Sequence, residues 1–173
     1  MLILFPRRFR RHLTSLVVLL GLLTGPATAQ SPFPDCTSRT ETNATLLLPA
    51  PVSIVLDGTE STGPLYIAVF SERGECVGSA HWTGPSTSLT VWGHSPNRER
   101  TDTSNAALAP GDTLLVRLFD PTTETAYTPS NSRMAVSFSA DEPYALTTPQ
   151  YVPNGIYVLD QIRARQTLAS REE

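Results

Sequence analysis

The feature that most constrains this chain is a series of short apolar runs, each cut off by glycine, proline or asparagine. The runs are 45–48, 52–56, 65–70, 76–82, 88–92, 113–119, 134–140 and 156–162. Between them stand Asp57-Gly58, Arg73-Gly74, Gly84-Pro85, Pro110-Gly111 and Asn154-Gly155. Runs of this length at close spacing are too short for buried helices and match strands joined by tight turns. Residues 134–140 alternate cleanly, with Met134, Val136, Phe138 and Ala140 on one face and Ala135, Ser137 and Ser139 on the other. Residues 65–70 are apolar on both faces, which predicts a central strand. No stretch carries a helical period. The expected fold is all-β: a single antiparallel β-sandwich, immunoglobulin-like or jelly-roll-like.

The segment 76–93 predicts a hairpin. With Thr83-Gly84-Pro85-Ser86 as a four-residue loop, Trp82 faces Thr87, Ala80 faces Leu89, Gly78 faces Val91 and Val77 faces Trp92. Pleating then places Gly78, Ala80, Trp82, Leu89 and Val91 on the core face. Val77, Ser79, His81, Ser88, Thr90 and Trp92 fall on the outer face, and one bulge would reverse the assignment. The two tryptophans are expected on opposite faces, roughly 17 Å apart along the strands at about 3.3 Å per residue.

Residues 1–29 form a separate part. Arg7, Arg8, Arg10 and Arg11 precede the apolar stretch LTSLVVLLGLL at 13–23, and Ala27-Thr28-Ala29 has the small–x–small pattern of a signal peptidase site. The apolar stretch is about half the roughly 20 residues a spanning helix needs, so a signal peptide cleaved after Ala29 is expected. The protein is then secreted or periplasmic, with no transmembrane segment in the 144 residues that follow. Their organisation is expected as a lead at 30–44, a sandwich at 45–163 and a polar tail at 164–173, frayed or weakly helical. The chain has no lysine. Once the first four arginines are removed, nine arginines face 16 acidic residues, a formal charge of −7. That balance argues against nucleic acid as a partner. Two cysteines, Cys36 and Cys76, lie in the exported part. An oxidising compartment favours their pairing, and neither has a histidine or cysteine at metal-ligand spacing.

Several stretches recur in a recognisable order: Asn43-Ala44-Thr45-Leu46-Leu47-Leu48, Ile67-Ala68-Val69-Phe70, Gly74-Glu75-Cys76-Val77-Gly78, Trp82-Thr83-Gly84, Leu89-Thr90-Val91-Trp92-Gly93, Pro110-Gly111-Asp112, Arg117-Leu118-Phe119-Asp120 and Gly155-Ile156-Tyr157-Val158-Leu159. This order resembles an uncharacterised secreted β-sandwich module of Gram-negative bacteria with type IX secretion, over residues 35–163. The resemblance implies a β-sandwich and an extracellular setting, and it implies no known reaction. Where that module commonly carries acidic loops, this chain has Gly93-His94-Ser95 and Ser104-Asn105, so a cation-binding role there is in doubt.

No catalytic signature stands out. The G-x-S-x-G elbow, zinc spacing, phosphate loop and calcium-loop consensus are all missing from the sequence. A carboxylate pair for glycoside hydrolysis is a three-dimensional property that the sequence leaves open. No metal and no cofactor is expected. The longest stretch without strand character is 94–109. Loops longer than about 12–15 residues are usually functional or disordered. The expected function is a non-catalytic extracellular binding or adhesion module for a protein or polysaccharide. Its contact would be built from Trp92, His94, Arg98 and Arg100. The alternatives are a carbohydrate-binding module using Trp92, Tyr66 or Tyr127, and a small secreted hydrolase using His81 or His94.

Overall fold

The computed structural model describes residues 32, 33, 36, 41–94 and 107–167. The signal peptide expected at 1–29, Arg98, Arg100 and most of the 94–109 stretch lie outside the described residues. Ten strands follow one another: β1 (Thr42–Leu48), β2 (Ser53–Leu56), β3 (Thr59–Glu60), β4 (Leu65–Phe70), β5 (Cys76–Trp82), β6 (Thr87–Gly93), β7 (Leu115–Asp120), β8 (Thr125–Tyr127), β9 (Ser132–Phe138) and β10 (Ile156–Gln166). Among the described residues there is no helix, and none long and apolar enough to cross a membrane. All eight apolar runs contain a strand. The two strands that the sequence does not announce, β3 and β8, are short returns after turns. β3 closes a two-residue hairpin in which Asp57 (φ 50°) and Gly58 (φ 90°) both adopt the left-handed conformation that a tight hairpin turn requires.

The strands form two sheets in a sandwich-like arrangement. The larger has the order β3-β2-β10-β1-β6, with β9 also paired to β10; the smaller has the order β5-β4-β7-β8. Most pairings are antiparallel, as expected, but β10 runs parallel to β1 through Ile156–Val158 and parallel to β2 through Gln161–Ala164. Pro49 and Pro51 separate β1 from β2, because proline has no N–H to continue the ladder. β10 also extends to Gln166, so the first three residues of the expected polar tail are strand, held by pairing to β9.

The β5–β6 hairpin is corrected. β5 pairs with β4, and β6 pairs with β1, so the Thr83–Ser86 turn carries the chain from one sheet to the other. The expected faces nevertheless hold: Trp82, Leu89 and Val91 are buried and Ser79, His81, Ser88 and Thr90 are exposed. Alternation fixes which way a side chain points and is silent on which strand lies beside it. Val77 is the exception. A bulge opposite Val69 and Phe70 turns it into the core. The two sheets come together where β5 meets β6. A Cβ on Gly78 would sit 2.1 Å from the Thr90 carbonyl oxygen, so only glycine permits this approach.

The core between the sheets includes Leu46, Ile54, Leu65, Ile67, Trp82, Leu118, Leu159 and Ile162. Three tyrosines pin loops and sheets by their hydroxyls. Tyr151 fills the space over Gly93 and shares a 3.0 Å hydrogen bond with the Thr42 hydroxyl. The Tyr157 hydroxyl accepts from the Val152 N–H at 2.9 Å and donates to the Gln150 carbonyl. Tyr127, from the smaller sheet, donates to the Asp57 carboxylate on the larger one at 2.8 Å. Burial first, and then the Asp57 carboxylate, push its phenol well above the ordinary range.

A second apolar cluster lies outside this core. Ala68, Phe70 and Cys76 are buried there with Phe33, Cys36 and Leu115 packed against them. Cys36 and Cys76 form the expected disulfide, their Cα atoms 4.5 Å apart. It fastens the N-terminal lead over the smaller sheet, on the face turned away from the core.

Candidate functional site

Of the predicted contact residues, Trp92 and His94 are described, and they do lie together. Trp92 is half-buried at the end of β6, opposite Asn43. Its carbonyl accepts from the Leu108 N–H at 3.2 Å, and the His94 N–H donates to the Leu108 carbonyl at 2.7 Å. The His94 carbonyl also accepts from the Thr42 hydroxyl. These are backbone ties that anchor the root of the 94–109 stretch. The tryptophan side chain offers one partly exposed ring.

The aromatic residues expected for sugar binding do not share a plane. Tyr127 is buried in the core, Trp92 is on the larger sheet and Tyr66 is on the smaller one. Tyr66 instead belongs to a row across three strands, with His81 on β5 and Phe119 on β7 as its register partners. Its ring stacks on His81 at 4.6 Å and tilts against Phe119 at 6.4 Å. One face of the Tyr66 ring is thus taken by His81. His81 is exposed and His94 half-buried. Among the described residues neither forms the carboxylate and nucleophile arrangement that a hydrolase needs.

The strongest site lies on the outer face of the larger sheet, where sequence reasoning placed none. Arg133 on β9 stands directly opposite Arg165 on β10. Arg163, two residues earlier on the same face of β10, is flanked by Ala135 on β9 and Val55 on β2. All three arginines are exposed. They rim an open depression of about 360 Å³ whose lining also includes Val55 and Ala135. Among the described residues no carboxylate forms an ion pair with any of them. Asp57, on the adjoining turn, uses its two oxygens for the Tyr127 hydroxyl and the Gln166 N–H. Glu60 is exposed on β3, opposite Val55.

Like charges directly opposite on neighbouring strands destabilise a sheet by about 0.2–1 kcal/mol. Arg133 and Arg165 therefore repel across the β9–β10 pair, with Arg163 two residues away on the same face, and an anionic ligand would relieve that repulsion. Arginine's planar fork suits carboxylate, phosphate or sulfate groups. One signal was available in the sequence: Arg163-Ala164-Arg165 puts two arginines on one face if the segment is a strand. Reading it as the edge of a polar tail concealed that. Arg133 is far away in the chain and joins them only through the β9–β10 pairing.

The arginine site and the Trp92 region are far apart. β1 meets β10 at its start, and the arginines lie near its end, so the separation along the sheet is on the order of 25 Å at about 3.3 Å per residue. Comparison with family models, with curated proteins and with solved structures finds no match for this chain.

Proposed function

We propose that this chain is an exported, non-catalytic binding module that takes an anionic ligand at Arg133, Arg163 and Arg165. The observation that carries the reading is that these three guanidiniums share one exposed face of the larger sheet and form no ion pair among the described residues, the nearest carboxylate of their row being Glu60, two strands from Arg163. The disulfide, the signal-like first 29 residues and the resemblance to a secreted module support the extracellular setting. The ligand need not overcome the overall negative charge. At physiological ionic strength the Debye length is about 8 Å, so a local cluster acts largely on its own.

The test uses dextran sulfate as a generic polyanion, titrated against the purified protein and against the triple variant R133Q/R163Q/R165Q. Wild-type binding should weaken steeply as salt rises from 50 to 300 mM, and the triple variant should lose at least tenfold in affinity. Equal affinity in the two proteins would remove the site from the function.

A further inference from the structure

The arginine site adjoins an open sheet edge, and the two features together narrow the ligand. β9 pairs only with β10 and is therefore an edge strand of seven residues, long for an unprotected edge. Its register decides which backbone groups are free. The Thr167 N–H donates to the Asn131 carbonyl, and the same alternation directs the amides of Arg133, Ala135 and Ser137 towards β10. The N–H and C=O of Met134 and Val136 point the other way and meet no backbone partner among the described residues.

We propose that this edge takes an extended segment of another protein, alternating acidic and apolar residues, as an added strand. The inference rests on the anion-binding reading above and specifies its ligand. Main-chain hydrogen bonds to Met134 and Val136 supply the docking, and side chains supply the selection, as in other cases of strand addition. An acidic residue of the incoming strand falls beside Arg133. A second, two positions along, falls beside Ala135. That alanine is small and exposed, and Arg163 is its neighbour in the same cross-strand row. The second acid lies about 10 Å from the Arg163 backbone, two strand spacings away, within the combined reach of an arginine and a glutamate. On the opposite face the intervening residues meet Met134, Val136 and Phe138, which are only half-buried at the rim of the core.

Fluorescence anisotropy with the labelled heptapeptide Thr-Glu-Val-Glu-Val-Glu-Thr tests this on the purified protein. Three comparisons are made: the same peptide with Gln for Glu, the same peptide N-methylated on the alternate amides that would face β9, and dextran sulfate. The glutamate peptide should bind, and both the Gln peptide and the N-methylated peptide should bind at least tenfold more weakly. R133Q should weaken the glutamate peptide by a similar factor at an unchanged melting temperature. Because N-methylation alters the peptide alone, protein folding does not enter that comparison. Undiminished binding of the N-methylated peptide would overturn strand addition. So would binding of dextran sulfate with none of the glutamate peptide, an outcome that leaves the anion site standing. Failure of both probes would overturn both readings.

Discussion

The outer faces of the two sheets use arginine in opposite ways. On the smaller sheet Arg117 is half-buried, its guanidinium carbon 3.7 Å from the centre of the Phe70 ring. Its Nε is buried without a hydrogen-bond partner, so the aromatic face is what receives its charge. Around it the disulfide, Phe33, Phe70 and Leu115 build a covered surface. On the larger sheet Arg133, Arg163 and Arg165 have no such cover. The surroundings of a charge distinguish structural from recognition roles better than residue type does. Arg117 is absorbed by packing, whereas the other three are exposed and form no ion pair among the described residues.

The contrast can be broken most forcefully at the disulfide. Cys36 and Cys76 close a 40-residue separation. The C36S/C76S variant should lose about 4 kcal/mol of unfolding free energy by the chain-entropy relation, measured by urea denaturation. Next in size is the tether that joins the two sheets. Tyr127→Phe should cost about 1–2 kcal/mol, since it removes a hydrogen bond to a carboxylate. The tether also sets a pH dependence. Because the folded phenol titrates higher than the unfolded one, its stabilising contribution is fully present below about pH 10 and is lost as pH rises beyond that. The wild type should therefore lose stability above pH 10 more steeply than Tyr127→Phe, as read by melting temperature.

Smaller effects sharpen the contrast between the arginines themselves. Arg117→Gln should destabilise by about 1 kcal/mol, through the lost cation–π contact and packing. Arg163→Gln should change stability by no more than about 0.5 kcal/mol, with relief of repulsion favouring the variant slightly. If Arg163→Gln proved as costly as Arg117→Gln, the larger sheet's arginines would be structural too, and the distinction between the faces would collapse.

Much of the sandwich was legible because side-chain period and turn chemistry are local. Asp57-Gly58 announces a turn, and the alternation of 134–138 announces which residues face the core. Partner choice is not local. Nothing around Gly78 shows that Thr90 approaches it from another sheet, since the same alternation would suit a hairpin. Nothing in Thr45–Leu47 shows that a strand beginning at Ile156 will lie parallel to it. The candidate site suffered from the same limit. Trp92 and His94 were found as neighbours in sequence and are neighbours in space, whereas Arg133 and Arg165 become a pair only through long-range registry.

The position of β10 has a consequence for the order in which the protein can be made. It is the common partner of β1, β2 and β9, yet it follows all of them in the chain, and Thr45 waits for Ile156, 111 residues later. The centre of the larger sheet is therefore synthesised after its flanks. Until Ile156–Gln166 arrives, those flanking strands have no shared ladder, and pairing over such separations is slow compared with local contacts. A nascent chain built this way cannot complete its larger sheet until β10 is available, so the long-range closure of that sheet is the last event its sequence order allows.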